Sequence, residues 1–204
     1  MGRIIIVNGS PRAPKSNSKQ YAALFKNYWQ GEISEYDVTA KKHAEICGKL
    51  NAFDDLLLVF PLYTDGLPAT LLQFLKELEK YPISYNPRVH AIINCGFMEP
   101  EQNQPALEMI KLFCRQHGHL FGSALCIGGG EAILTTPFVF FVKRNVKKLA
   151  KAIWLGKPTE LRVTMPLSKK SFLKASKKYW IRYGEKHHVD IKQMETMKIE
   201  DEIE

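Results

Sequence analysis

The side chains with the clearest chemical potential lie in a polar segment directly after a short apolar run. Residues 3–8 (RIIIVN) are followed by Gly9, and a segment rich in hydroxyl and cationic groups then runs to Ser18. Hydroxyl groups beside the N–H groups of a helix N-terminus form a favourable site for a phosphate. The segment therefore predicts a phosphate-binding loop between the first strand and the first helix.

Two common nucleotide-binding motifs do not fit this loop. The dinucleotide fingerprint G-x-G-x-x-G is absent, because no glycine follows Gly9 until Gly31. The triphosphate pattern G-x-x-x-x-G-K-[ST] is approached by Gly9 and Lys15-Ser16, but Pro14 occupies the position of the second glycine. Proline has no N–H to donate and its φ is fixed, so the usual triphosphate cradle cannot form. A monophosphate needs only the hydroxyls and the helix N-terminus, and it fits better.

The apolar pattern indicates the elements that position this loop. Short apolar runs predict strands at residues 3–8, 33–38, 56–60, 89–95 and 123–127. Helical spacing predicts helices at residues 40–50, 68–80 and 105–117, and a first helix that contains Tyr21 and Trp29 and begins at Ser16, Asn17 or Ser18. Alternating strands and helices predict an α/β fold, a doubly wound five-stranded parallel sheet with helices on both faces.

In such a sheet, ligands bind at the carboxyl ends of the strands, where the winding reverses. The segments that follow the four buried strands are therefore candidate binding loops: residues 10–18, 61–66, 94–103 and 128–131. All four are rich in Gly, Pro, Ser or Asn.

Three of these segments resemble a known family. The first match is Gly9-Ser10-Pro11-Arg12 followed by Ser16-Asn17-Ser18; the second is residues 60–69 (FPLYTDGLPA), similar to a P-x-Y-x-x-x-[ML]-P-A stretch; the third is Asn94-Cys95-Gly96. Over about residues 3–131, the chain resembles the NADPH-dependent FMN reductase-like and NAD(P)H quinone oxidoreductase branch of the flavodoxin-like superfamily.

The resemblance implies a bound FMN, with NAD(P)H as co-substrate. The FMN phosphate would be held by Ser10, Arg12, Ser16, Asn17 and Ser18. One side of the ring system would be lined by Pro61, Leu62, Tyr63, Thr64, Asp65 and Gly66, and its pyrimidine edge by Asn94, Cys95, Gly96 and Phe97. Hydride would pass from the nicotinamide to flavin N5, and then to a quinone or similar small acceptor in a ping-pong cycle. No protein acid, base or nucleophile is required.

Asp65 would place a negative charge near the flavin ring, which becomes electron-rich when it is reduced. A carboxylate near that ring disfavours an anionic reduced flavin. Its side chain either caps the following helix or lowers the reduction potential, and both alternatives stay open. Cys95 could serve as a redox thiol, but burial at the end of its strand is the expectation.

Two other functions stay open beside the reductase: a flavodoxin-type electron carrier, and a non-catalytic FMN-binding or regulatory protein. Electron carriers of this kind are commonly acidic where they dock. Residues 1–142 hold 13 Lys and Arg against 13 Asp and Glu, so no acidic surplus is present there. This balance favours the reductase over the carrier.

The net charge of +8 arises in the last third of the chain. Residues 143–186 hold 14 Lys and Arg against two Glu, a net charge of +12, and residues 187–204 are acidic. Helices are predicted at residues 137–154 and 168–186, the second with an aromatic stripe that we expect to cover the sheet. Attraction of NADPH phosphates and adhesion to an anionic membrane or to nucleic acid are alternatives; neither membrane contact nor nucleic-acid binding is the expectation. The apolar residues 138–142 are predicted to form a dimer contact or a wall of the ring pocket.

The domain prediction is a single domain over residues 1–186, with its core at about 3–131 and a helical segment at 137–186. Residues 187–204 are predicted to form an acidic tail, frayed from Glu195 onward. The family resemblance implies a homodimer or higher homo-oligomer.

The sequence also indicates what the protein lacks. The spacing of the four cysteines and six histidines predicts no metal site. No apolar run approaches the length of a transmembrane helix, and the first residues turn polar too soon for a secretory signal. We therefore expect a cytoplasmic protein with reduced thiols.

Overall fold

The computed structural model describes residues 2–13, 15–81 and 87–195. The chain divides into two compact units at the boundary between Met165 and Pro166. The first unit contains a parallel sheet of six strands: β1 (Arg3–Asn8), β2 (Glu32–Asp37), β3 (Asp55–Pro61), β4 (Arg88–Asn94), β5 (Phe121–Ile127) and β6 (Glu160–Val163). Their order is β2-β1-β3-β4-β5-β6. The predicted bounds of a single domain over residues 1–186 stay a prediction.

The winding of the sheet reverses between β1 and β3, because β2 lies on one side of β1 and the later strands lie on the other. The doubly wound parallel sheet is therefore confirmed. The predicted number of five strands was wrong by one. Strand β6 is only four residues long (ELRV), and its first and third residues are exposed, so it has no continuous apolar run.

Among its described residues, the first unit has five α-helices: α1 (Asn17–Lys26), α2 (His43–Cys47), α3 (Ala69–Leu78), α4 (Gln104–Gln116) and α5 (Val139–Trp154). Helix α2 is much shorter than the predicted residues 40–50, because Lys41 adopts a left-handed conformation (φ 55°) that interrupts helical structure there. Helices α1 and α5 contact each other on one face of the sheet, and α3 and α4 contribute to the core on the other.

Burial on both faces explains why the central strands could be predicted from the sequence. Residues 4–7 of β1 and residues 56–60 of β3 are all buried, on both faces of the sheet. Parallel strands that are covered on both faces read as continuous apolar runs. Tyr21 and Phe25 of α1 fill one side of these strands, and Leu71 and Phe74 of α3 fill the other.

A buried histidine lies within this core. The Nδ1 atom of His90 accepts a hydrogen bond of 2.9 Å from the Ser123 N–H, so the ring is neutral and its Nε2–H donates to Asp55, 3.0 Å away. Burial lowers the pKa of His90 below its ordinary value of 6.5, and the neighbouring Asp55 only partly offsets this effect. Burial also lowers the pKa of His43 and His119.

These shifts predict that the protein loses stability as the pH falls below about 6.5. The unfolded histidines take up protons there, whereas the folded ones resist protonation until a lower pH, so protonation favours the unfolded chain. We expect a lower urea midpoint at about pH 5 than at about pH 8. His119→Gln should reduce the difference. A midpoint that is equal or higher at the lower pH would contradict this prediction.

The second unit contains helices α6 (Lys169–Lys186) and α7 (Ile191–Glu195). Ser168 caps α6, its Oγ accepting a 3.2 Å hydrogen bond from the Ser171 N–H. Four large side chains of the aromatic stripe of α6, Leu173, Tyr179, Trp180 and Tyr183, are between 48% and 56% exposed. That this helix covers the sheet stays a prediction. The predicted frayed end lies outside the described residues from position 196 onward.

Among the described residues, no helix combines the length and the apolar character that crossing a membrane requires.

Candidate functional site

The four predicted loops meet at one edge of the sheet. Asn8, Pro61, Asn94 and Ile127 end neighbouring strands, and Pro61 pairs with Asn94, which pairs in turn with Ile127. The edge includes the point between β1 and β3 where the winding reverses, the usual position of ligands in open α/β sheets.

The first loop is held by its own hydroxyl groups. The Ser10 side chain is buried and accepts a 3.3 Å hydrogen bond from the Arg12 N–H. Ser16 caps α1, its Oγ accepting a 3.2 Å hydrogen bond from the Lys19 N–H. Because the first turn of a helix presents N–H groups without intrahelical partners, this cap brings donors to the loop. Pro14, which was predicted to disrupt a triphosphate cradle, lies outside the described residues.

A cavity of about 490 Å³ opens beside this loop and the start of α1. Its lining contains three cations, one acid, three neutral polar residues and one alanine: Arg12, Lys15, Ser16, Asn17, Lys19, Gln20, Ala23 and Glu131. Three of the five predicted phosphate residues line it. The other two, Ser10 and Ser18, do not.

The three cations of the cavity differ in their partners. Lys19 pairs with Glu35 at 3.1 Å and with Asp37 at 3.6 Å. Partial burial lowers the pKa of Lys19, but these two carboxylates outweigh burial and raise it. Arg12 and Lys15 are exposed, and neither has an ion-pair partner among the described residues. An anion in this cavity would therefore be met chiefly by Arg12 and Lys15.

The second loop forms a tight turn with two residues in the left-handed region. Tyr63 and Gly66 pair through hydrogen bonds of 3.2 and 2.9 Å, and the central residues Thr64 and Asp65 have φ values of 45° and 55°. Such turns favour Asn-Gly or Asp-Gly, and positive φ is strained for a β-branched residue. The capping alternative for Asp65 is wrong, because α3 begins after Pro68 without a side-chain cap.

This strain predicts that Thr64→Asn stabilises the protein. Asparagine tolerates the left-handed region, so we expect the free energy of unfolding to rise by about 0.5–1 kcal/mol. Urea unfolding measures the change. Thr39→Asn is the matched control, since Thr39 is exposed and has no positive φ. Equal effects of the two substitutions would contradict the assignment of strain to this turn.

Three predicted site residues turn their side chains into the protein. The Asn94 amide donates to Ser18 Oγ at 3.2 Å and to the Phe60 carbonyl at 3.0 Å. Cys95 is buried, and the Asn103 amide donates to its Sγ at 3.4 Å. Burial raises the pKa of the Cys95 thiol, which holds it in its neutral form. These side chains tie the third loop to the first loop and to the end of β3, and the expected burial of Cys95 is confirmed.

The third loop borders open space on its outer side. A Cβ atom added at Gly96 would have no heavy atom within 4 Å, and Phe97 is 54% exposed. The fourth loop is fixed behind it, since the Gly130 N–H donates to the Cys95 carbonyl at 2.7 Å and the Tyr21 hydroxyl donates to the Gly130 carbonyl. Together with the half-buried Tyr63, this edge can accept a flat ligand.

Sequence reasoning did not include several residues that the structure places here. Lys15, Gln20 and Glu131 line the cavity, and Tyr21 anchors the fourth loop. Lys15 and Glu131 lie in segments that were named as candidate loops. For Tyr21, the helical spacing indicated only a core position.

The strand order and the loop edge define a flavodoxin-like fold. No family model and no curated protein matches the chain. Solved structures do match it, at low sequence identity.

An NAD(P)H:quinone oxidoreductase from Methanothermobacter marburgensis is 12% identical with a TM-score of 0.59, and the match covers 74% of this chain and 95% of that one. An FMN-dependent NADH-azoreductase from Bacillus anthracis, solved in complex with FMN, is 12% identical with a TM-score of 0.59 and coverages of 74% and 99%. An NADPH-quinone reductase from P. pentosaceus is 15% identical with a TM-score of 0.55 and coverages of 75% and 97%. These similarities show the fold.

Proposed function

We propose that this protein is an FMN-dependent NAD(P)H oxidoreductase that passes electrons to a quinone or a similar small acceptor. The observation that carries the proposal is the cavity with three cations at the start of α1, on the same edge of the sheet as the open side of Gly96. The phosphate end and the flat ring system of FMN need two such environments side by side. The names of the matched reductases support the same assignment.

The residues present fit a monophosphate. Arg12 and Lys15 supply two cations, Ser16 supplies the cap of a helix N-terminus, and the lining contains one carboxylate, Glu131. Anions are stabilised at a helix N-terminus by its exposed N–H groups and dipole. We therefore assign the phosphate to Arg12, Lys15, Ser16 and Asn17. Ser10 and Ser18 act by shaping the loop.

The ring system would lie against the second and third loops. Main-chain groups of residues 61–66 and the open side of Gly96 would face it, with Tyr63 and Phe97 as aromatic neighbours. Asn94 and Cys95 would contribute main-chain atoms, because their side chains are engaged in the interior. FMN supplies the redox chemistry when it is bound, and the protein supplies orientation, hydrogen bonds and exclusion of water.

Turnover by the isolated protein tests the activity and separates it from the two alternatives. We expect the protein, once loaded with FMN, to oxidise NADH or NADPH for many turnovers when a small benzoquinone is present. An electron carrier would bind FMN but would not oxidise NAD(P)H by itself. A regulatory protein would bind FMN without turnover. A preparation that does not bind FMN would refute the proposal.

Two accompanying predictions stay open to separate measurement. The cytoplasmic location rests on the sequence, and the homodimer or higher homo-oligomer rests on the family resemblance. Phe140, at the start of α5, is 62% exposed, which is compatible with a contact between copies.

A further inference from the structure

Helix α6 carries two separate faces. Phe172, Leu173, Tyr179, Trp180 and Tyr183 recur at the spacing that places them on one side of a helix. The opposite side carries Lys170, Lys174, Lys177, Lys178 and Arg182. In total, α6 has seven Lys and Arg residues against one acid, Glu185, a net charge of +6.

Three aromatic side chains of α6 contact one another. Ring centroids lie 5.3 Å apart for Tyr179 and Trp180, and 5.8 Å apart for Trp180 and Tyr183. Gly184 is the only residue of α6 that is buried, and it lies against Met194 of α7. A contiguous exposed apolar surface of this kind marks an interaction site.

We propose that α6 binds the surface of anionic lipid membranes, lying in the plane of the headgroups. Trp and Tyr favour the headgroup region because their rings are apolar and their N–H and O–H groups are polar. A helix with such a face and a lysine-rich opposite face, but low overall hydropathy, lies on a membrane and does not cross it. The positive charge of α6 complements anionic headgroups.

The arrangement of the two faces favours lipid over the other occupants. Single-stranded nucleic acid is bound by aromatic side chains interleaved with cations, because bases and phosphates alternate along the strand. In α6, five of the seven basic residues lie on the side opposite the aromatic groups. A second copy of α6 would bring two helices of +6 together, and their repulsion opposes pairing through this surface.

Vesicle flotation of the full chain tests the proposal. We expect binding to vesicles of phosphatidylglycerol mixed with phosphatidylcholine, weaker binding to pure phosphatidylcholine, and loss of binding as salt is raised. The double variant Trp180→Ala/Tyr183→Ala should weaken binding about tenfold or more. Leu120→Ala, which removes a side chain that is 67% exposed in the first unit, should leave it unchanged.

Charge reversal provides a second, independent test. Lys174→Glu/Lys178→Glu should weaken vesicle binding about a hundredfold, since each cation near an anionic surface contributes measurably to affinity. The control Lys42→Glu/Lys76→Glu changes the net charge equally but alters exposed residues of the first unit. Equal effects of both pairs would overturn the assignment to α6.

The fluorescence of Trp180 reports where the helix lies. Vesicles should shift the emission of the wild type to shorter wavelength, and Trp180→Phe should bind while losing most of that shift. Failure to bind anionic vesicles would overturn the proposal. So would binding of a single-stranded oligonucleotide, or self-association through α6, in its place.

Discussion

Replacing Arg12 and Lys15 together by glutamine is expected to weaken FMN binding about a hundredfold and to leave riboflavin binding unchanged. Each cation would make a charge-assisted hydrogen bond to the phosphate, and losing two such bonds costs about 3 kcal/mol. Riboflavin has the same ring system without the phosphate, so it isolates the part of the ligand that these residues contact. Quenching of flavin fluorescence in a titration measures both affinities.

The matched control for this double variant is Arg115→Gln/Lys76→Gln. Both residues are exposed and lie on α4 and α3, so this pair removes the same charge without changing the cavity. We expect FMN binding close to that of the wild type. If the Arg12/Lys15 variant loses equal affinity for FMN and for riboflavin, the phosphate does not bind in this cavity.

Gly128→Ala is expected to damage both the fold and the site, whereas Gly96→Ala should affect the site alone. A Cβ atom at Gly128 would collide with the Met98 carbonyl oxygen and lie 2.9 Å from the Pro100 nitrogen. Both are main-chain atoms of the segment after β4, which cannot turn aside as a flexible side chain could. We expect the free energy of unfolding to fall by about 3 kcal/mol.

Gly96→Ala is the comparison that makes the prediction for Gly128→Ala specific. Gly96 lies in the third loop, where the structure leaves open space. Its added methyl group would meet no heavy atom within 4 Å, so stability should change by less than about 0.5 kcal/mol. The methyl group would occupy the space that we assign to the ring, and FMN binding should weaken about tenfold. Urea unfolding and flavin titration of both variants measure these effects. If Gly96→Ala binds FMN as tightly as the wild type, the ring does not lie against the third loop.

The central strands could be predicted because strands that are buried on both faces consist of continuous apolar residues. Strands β1 and β3 read as continuous apolar runs, and topology alone predicted that the loops after them lie at one edge of the sheet. Strand β6 has no such run, because an edge position leaves Glu160 and Arg162 exposed. Its pairing with β5 depends on tertiary contacts that a four-residue pattern does not reveal.

Side-chain direction within the site could not be predicted. Ser18 and Asn94 are polar residue types that suit a ligand or an interior hydrogen bond equally well, and they are 76 residues apart in the chain. The turn at Thr64-Asp65 lacks the Asn-Gly signal of its conformation, so its strain became visible only in the structure. In α6, helical spacing located the aromatic face but did not show that it is exposed.

A crystal structure of the protein grown with FMN tests the central claim most directly. The account predicts that the phosphate lies in the cavity at the start of α1, within hydrogen-bond distance of Arg12 and Lys15, and that the ring system lies against Gly96 and the turn at residues 63–66. A cavity that stays empty at saturating FMN, or FMN bound at another edge of the sheet, would contradict it.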